Sequence, residues 1–274
     1  MTSLGALYLE TRRKLRDVSP TPELDAKLLM SYALGCAPDD VILKPDTPLE
    51  ANAVLDDAIA RRLRHEPVAK ITGTRDFYGL RFTVSRDVLD PRPDTETLID
   101  AVRPYIKENT RILDLCTGSG CILATLLHLY PDASGVATDI STAALRIAEE
   151  NFTHLGVRDR VQTIESDYLE SVSGTFDLIV CNPPYIESSA IESLDADVRL
   201  YDPILALDGG DDGLAPYRTL FPQIRNHMKK DAHAAFEIGF TQRPDVARLA
   251  ENVGLQVIAV RRDLGNHERV VILK

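Results

Sequence analysis

Long apolar runs are missing from the 274 residues: none approaches the roughly 20 consecutive apolar positions that a membrane-spanning helix needs. The N-terminus, MTSLGALYLETRRKLRD, has a short apolar patch broken by Glu10, without a signal peptide's order of charge, apolar core and cleavage site. No membrane partner and a cytoplasmic location are therefore expected. Cysteine is scarce as well. The four present, Cys36, Cys116, Cys121 and Cys181, form no C-x-x-C pair and have no histidine cluster beside them. That argues for a reducing compartment and against structural zinc, and the six histidines show no metal-ligand spacing. An excess of basic charge is also missing, with 31 Lys and Arg against 42 Asp and Glu, a net −11. Proteins that grip naked nucleic acid through its phosphates usually present a basic face, so a direct nucleic-acid substrate is disfavoured. Internal repeats and low-complexity stretches are absent too.

What is present is an ordinary globular composition, 44% hydrophobic and 27% charged, enough for one large domain or an ordinary domain plus a small one. Charge distribution favours two parts. Residues 1–75 carry 11 basic and 11 acidic side chains, and the whole net −11 lies after them. The first part reads as helical. Thr21-Pro22 is an N-cap followed by proline at the first helical position, and Gly35 closes that helix. Thr47-Pro48-Leu49-Glu50 reads as a capping box. Beyond it Leu55, Ile59 and Leu63 fall on one apolar face, with Arg61, Arg62 and Arg64 on a solvated one. Near Arg75 the period changes to two: Leu80, Phe82 and Val84 alternate with polar residues, and Phe77-Tyr78-Gly79 before them suggests a hairpin.

From about residue 95 strand and helix alternate. Arg111–Leu115, Ser134–Thr138, Val161–Ile164 and Phe176–Cys181 are β-like, with helical stretches at Cys121–Leu129 and Thr142–Leu155. Ala232–Ile238, Leu255–Val260 and Val270–Leu273 follow, with one helix near Gln242–Val253 among them. This is the pattern of an α/β fold whose mostly parallel sheet is covered on both faces, its last two strands antiparallel at an edge. The expected division is a helical domain over 1–74, a β-hairpin linker over 75–94 and an α/β domain over 95–274.

Two motifs carry chemistry. Asp114-Leu115-Cys116-Thr117-Gly118-Ser119-Gly120 leads from a strand into a helix, and its glycines let a ligand approach main-chain N–H groups at the helix N-terminus. About twenty residues later Asp139 ends the next strand, where a carboxylate can accept ribose hydroxyls. Asp167 and Tyr168 follow the third strand, a carboxylate and a ring suited to an adenine. Together these predict an adenosine-type ligand, against a purely structural turn, a surface Asp and a core Tyr. A dinucleotide loop would place a third glycine where Cys121-Ile122-Leu123 stands; S-adenosylmethionine has no pyrophosphate and tolerates the shorter loop.

The second motif, Asn182-Pro183-Pro184-Tyr185, directly follows the apolar strand Phe176–Cys181, about sixty residues past the glycine loop. A planar –NH₂ group attacks poorly because its lone pair is delocalised. The Asn182 side-chain oxygen and the Pro183 carbonyl can each accept one of its N–H bonds, while Tyr185 packs flat against it. Prolines keep the loop stiff and pre-aimed. The combination fits an amine or amide methyltransferase that needs neither a metal nor a strong general base.

Over essentially its full length the chain resembles the PrmC/HemK-type glutamine methyltransferases, which modify peptide chain release factors. The resemblance runs through Pro67–Gly73, Phe77–Leu80, Pro91–Glu96, Asp114–Gly120, Asp139–Ser141, Asn182–Tyr185 and Tyr201–Pro203. It continues through Gly209-Gly210, Asp212-Gly213, Glu237–Gly239 and Arg262–Leu264. It implies a helical N-terminal substrate-docking domain joined by a hairpin to a class I, Rossmann-like methyltransferase. It further implies S-adenosylmethionine as donor and, as acceptor, the glutamine of the Gly-Gly-Gln loop of release factors. Cys116, Thr117, Gly118, Ser119, Gly120, Asp139 and Tyr168 would line the cofactor. Asn182 would touch both ligands, and Pro183, Pro184 and Tyr185 would hold the glutamine. Cys116 stands where many members have glycine, and Tyr168 where many have Trp.

Three alternatives are weighed against this. A sister family methylates a ribosomal-protein glutamine but lacks the run at Pro91–Glu96. Adenine-amino methyltransferases share Asn-Pro-Pro-Tyr but bring a basic recognition region. A cofactor-binding scaffold would not need the Asn182 and Pro183 acceptors. His267 is expected at the surface; Arg92 and Glu96 are read either as closing over the cofactor or as an ion pair with the following helix, the structural reading being preferred, and Glu237, after an apolar strand, is assigned no role.

Overall fold

The computed structural model describes residues 2–274, which divide into two compact units: 2–74 with 195–201, and 75–194 with 202–274.

In the first unit, helices α1 (Leu4–Leu15), α2 (Pro22–Leu34), α3 (Ala53–Leu63) and α4 (Val68–Thr72) surround a core that includes Leu4, Leu15, Leu29, Met30, Leu55 and Ile59. Thr21 does precede α2, with Pro22 first in the helix, although its side chain makes no capping hydrogen bond; Gly35 ends the helix at φ 67°. The capping box is not formed. Pro48–Leu49 instead pairs antiparallel with Thr2–Ser3, and α3 begins at Ala53 with Asn52 as its cap. Asn52 Oδ1 accepts from Leu55 N at 3.0 Å while its Nδ2 donates to Ala33 O at 3.1 Å, so one side chain caps α3 and ties it to the end of α2. The apolar face of α3 also turns out differently. At about 100° per residue, Arg62 lies within about 20° of Leu55 around the helix and Leu63 about 80° away. Arg62 is accordingly 3% exposed and Leu63 41%. Arg62 Nε donates to Asp25 Oδ2 at 2.7 Å, and a 3.9 Å ion pair joins it to Asp197 of the 195–201 segment. Arg61 makes a two-pronged pair with Glu66 at 2.7 and 2.9 Å.

The second unit opens with the hairpin β1 (Thr74–Phe77) and β2 (Leu80–Thr83), Thr74 itself grouping with the first unit. Tyr78 and Gly79 both have positive φ, 51° and 75°, the combination of a two-residue turn that matches strand twist. After α5 (Glu96–Val102) come β3 (Arg111–Leu115), α6 (Cys121–Leu129), β4 (Ser134–Asp139), α7 (Thr142–His154), β5 (Val161–Glu165) and β6 (Phe176–Cys181). The chain then adds α8 (Ala215–Ile224), β7 (Met228–Glu237), α9 (Arg243–Asn252), β8 (Val257–Arg262) and β9 (Glu268–Leu273). The seven-stranded sheet has the order β8-β9-β7-β6-β3-β4-β5; β7 through β5 are parallel, whereas β9 runs antiparallel to β7 and to β8. Its strands bury both faces, as their near-continuous apolar runs predict. Ile112, Leu178 and Val180 pack into one core cluster, while Leu113, Leu115, Ile179 and Phe236 pack into the other. This is the class I methyltransferase architecture expected, edge strands included.

Candidate active site

Register sets the site. Leu115 pairs with Thr138 on one side and with Cys181 on the other, and Cys181 pairs with Phe236. Residues just past these positions, Cys116, Asp139, Asn182 and Glu237, therefore emerge at one level along the carboxyl edge of the sheet. The order reverses between β3 and β6, the switch point where open α/β sheets leave a crevice. A cleft of about 310 Å³ opens there.

The glycine loop forms one wall. Cys116 and Gly118 take positive φ, 57° and 53°, and a Cβ on Gly118 would meet nothing within 4 Å, so its open face is toward the cleft. The Cys116 side chain packs with the core cluster that contains Cys181. Cys116 also lines the cleft, and the surrounding packing holds it in a backbone conformation that favours glycine. Thr117 Oγ1 donates to Asp114 Oδ2 at 2.6 Å; burial pushes the Asp114 carboxyl up to about 7 against that bond. Gly120 does not line the cleft. A Cβ there would sit 2.9 Å from the Phe152 ring and 3.1 Å from Ala148, so its smallness serves the packing of α7. Thr117, Ser119, Asp139, Asp167 and Tyr168 do line it. Asp139 Oδ2 accepts from Gly118 N and Oδ1 from Ser141 N, both at 2.9 Å; burial raises its pKa and these backbone bonds oppose the rise. Two of its roughly four acceptor positions stay available for hydroxyls. Burial also raises the Tyr168 phenol.

The Asn-Pro-Pro-Tyr loop faces this wall. Asn182 and Pro184 line the cleft, whereas Pro183 and Tyr185 do not. Asn182 Nδ2 donates to Thr95 Oγ1 at 3.3 Å, and among the described residues no hydrogen bond engages its Oδ1 or the Pro183 carbonyl. Tyr185 is anchored at both ends: its hydroxyl donates to Glu237 Oε1 at 3.2 Å, and its carbonyl accepts from Gln242 Nε2 at 2.9 Å. Burial raises its phenol pKa. Glycines press the loop from behind. A Cβ on Gly213 would lie 2.4 Å from Tyr185 O, and one on Gly209 2.8 Å from Tyr185 Cα, so only glycine permits this backbone approach. Gly209 N also donates to Ile186 O at 2.8 Å.

Part of the wall carries no motif of its own. Thr95, Pro203, Ile204 and Leu205 line the cleft, Ile204 and Leu205 remaining exposed. Only the Pro91–Glu96 and Tyr201–Pro203 motifs hinted at them. Arg92, also on the wall, pairs with buried Asp202 at 2.5 Å, and Glu96 Oε1 accepts from Tyr78 N at 2.8 Å. Arg92 thus makes an ion pair, but with a loop over a hundred residues away, and Glu96 a backbone hydrogen bond. His267 is exposed as expected.

The PrmC N-terminal domain family matches residues 6–73, and the Methyltransferase small domain family matches 82–198. A release factor glutamine methyltransferase of Agrobacterium fabrum is 38% identical, the match covering 99% of this chain and 97% of the relative. This chain belongs to the release factor glutamine methyltransferase family. Another member, from Rhodospirillum rubrum, is 44% identical over 92% of this chain and 79% of the relative. Solved structures share the fold: the hMettl16 catalytic domain has a TM-score of 0.60 at 16% identity, covering 80% of this chain and 82% of that one. A Pyrococcus furiosus methyltransferase has a TM-score of 0.56 at 17% identity, covering 80% of this chain and 98% of that one. The family's donor is S-adenosylmethionine. The cleft fits it: an open glycine cradle at the N-terminus of α6, a carboxylate with free acceptor positions and a partly buried ring.

Proposed function

We propose that this enzyme methylates the side-chain amide nitrogen of the glutamine in the Gly-Gly-Gln loop of peptide chain release factors. The observation that carries the reading is the loop after β6. Asn182 turns its nitrogen to Thr95, so Oδ1 and the Pro183 carbonyl remain as two acceptors beside the cleft. Two acceptors match the two N–H bonds of one primary amide. Cys116, Thr117, Gly118, Ser119, Asp139, Asp167 and Tyr168 would hold the cofactor, with Gly120 shaping the loop from behind. S-adenosylmethionine, when bound, supplies an electrophilic methyl on a sulfonium. The protein's task is then to position and desolvate the weak nucleophile. Asn182 and Pro183 fix the amide nitrogen and return electron density to it. Pro184 and the Tyr185 ring hold the amide plane. The methylated amide keeps one N–H and releases one proton. Stiffness of the loop reduces the entropy of reaching this geometry.

The helical residues 1–74 would dock the release factor, in a cytoplasmic setting. The experiment uses labelled S-adenosylmethionine with a release factor and with the same factor carrying alanine in place of the Gly-Gly-Gln glutamine. Label on the first alone is expected; equal labelling of both would overturn the assignment.

A further inference from the structure

Charge around the cleft is one-sided. Asp87, Asp90, Asp139, Asp167 and Asp208 stand on its wall, and among the described lining residues Arg92 is the single cation. S-adenosylmethionine carries two positive groups, its sulfonium and its α-ammonium, and one negative group, its α-carboxylate. An acidic wall attracts the first two and repels the third. A site that takes the whole cofactor therefore needs a donor of opposite sign where the carboxylate comes to rest.

Arg92 has the features of that donor. Its side chain is 38% exposed, and its Nη2 donates at 2.5 Å to Oδ2 of Asp202, a carboxylate whose side chain is fully buried. Nε and Nη1 make no hydrogen bond among the described residues, so part of the planar fork remains for a second carboxylate. The backbone on each side of the pair is defined. Arg92 O accepts from Thr95 N at 3.1 Å as the chain enters the Pro93–Thr95 turn, and Asp202 leads directly into Pro203, Ile204 and Leu205 on the cleft wall.

We propose that Arg92, held on the cleft wall by Asp202, binds the α-carboxylate of S-adenosylmethionine, so that the cleft selects for the intact amino-acid end of its cofactor. Its place along the cleft agrees with the chemistry. The adenosine belongs beside Asp139, Asp167 and Tyr168, and the methyl has to face Asn182. The amino-acid arm is then left to the Asn182 side of the cleft. Arg92 stands on that side, three residues before Thr95, which meets Asn182 at 3.3 Å. Asp202 gives the guanidinium a fixed partner through one nitrogen. Without it the long side chain would lose entropy on binding and could instead pair with an acid of the wall.

The proposal rests on the placement of the cofactor given above, and one set of titrations separates the two. Calorimetry measures the affinity of S-adenosylmethionine and of its decarboxylated analogue, which keeps the sulfonium and the amine, for wild type, Arg92→Ala, Arg92→Lys and Asp139→Ala. Melting curves check that each variant is folded. Arg92→Ala should weaken S-adenosylmethionine by about ten- to a hundredfold, the scale of a charge-assisted hydrogen-bonded pair. The analogue should bind this variant no more weakly than wild type, because the carboxylate is already gone and a neighbouring cation has been removed. Arg92→Lys keeps the charge without the fork and should fall between wild type and Arg92→Ala. Where Arg92→Ala unfolds by stranding the buried Asp202, Arg92→Gln with Asp202→Asn removes both charges together, and the same selective loss is expected. Asp139→Ala should weaken both ligands alike. If it weakens neither, the cofactor placement fails and this proposal with it. If Asp139→Ala behaves as expected while loss of Arg92 weakens both ligands equally, or neither, the carboxylate lies elsewhere and Arg92 is a structural ion pair alone.

Discussion

Replacing Asn151 by alanine tests how the glycine loop is held. Asn151 lies on α7, is fully buried and makes three hydrogen bonds: Oδ1 accepts from Thr83 N at 2.7 Å, and Nδ2 donates to Thr83 O and to Ser119 O, each at 2.9 Å. One amide therefore fastens the end of the hairpin and the cofactor loop to the same helix. At about 1 kcal/mol net per bond the substitution should cost about 3 kcal/mol, and more if the Ser119 carbonyl is left dry. For a catalytic unit of this size, 2–4 °C per kcal/mol gives a fall in melting temperature of about 6–12 °C. Thr153→Ala on the same helix removes only an exposed hydroxyl bonded to Glu149 O and should shift melting by less than about 2 °C. S-adenosylmethionine affinity should fall as well, because the Ser119 segment loses its anchor. A melting shift of Asn151→Ala no larger than that of Thr153→Ala, with affinity unchanged, would refute the account.

Further outcomes are expected. Asn182→Ala should leave cofactor affinity within a few-fold in calorimetry yet reduce kcat by about 10²–10³, the scale of losing one preorganised polar contact; a change confined to KM would remove Asn182 from the chemistry. Gly213→Ala forces a Cβ to within 2.4 Å of Tyr185 O at φ 70°, so kcat should drop together with melting temperature. Normal activity there would mean the Tyr185 loop can move freely. Glu237 keeps its proton up to about 7 when folded but releases it near 4.5 when unfolded. Between these values the unfolded state binds fewer protons, so stability falls as pH rises. Melting at pH 5 and pH 8 should show Glu237→Gln gaining on wild type at the higher pH, and an identical gap at both would contradict the buried acid. Because the net −11 lies wholly after residue 75, association with a basic release-factor tip should slow with added salt in stopped-flow measurements; a salt-independent rate would leave the charge to solubility alone.

Sequence periodicity revealed the parallel sheet because its buried strands are short apolar runs with recognisable helices between them. It revealed the site where motif and strand end coincide, as at Gly118 and Asn182. It failed on α3, where four-residue spacing drew attention to Leu63 although helix geometry places Arg62 under Leu55. It failed at Thr47, whose local capping pattern lost to Asn52, a residue that caps one helix and ties down another. Glu237 and Thr95 stood in the sequence without a role for a different reason. Thr95 meets Asn182 through the packing of the turn at Pro93–Thr95, and Glu237 meets Tyr185 through strand register, and no local pattern carries either contact. Gly120 looked like a ligand contact because loop glycines share one signature, whether they yield to a ligand or to a phenylalanine ring.

The first unit has a consequence for protein synthesis. Its buried Arg62 pairs with Asp197, and the Arg64 carbonyl accepts from Tyr201 Oη at 2.8 Å, although those partners belong to a segment made only after the glycine loop and the Asn-Pro-Pro-Tyr loop. Domains usually fold in order of emergence from the ribosome. Here the N-terminal helices, first to emerge, must wait for the 195–201 segment to complete their contacts. A gene cut after codon 74 would accordingly yield an amino-terminal fragment lacking part of its own fold, and a carboxyl-terminal fragment carrying an orphaned piece of the other.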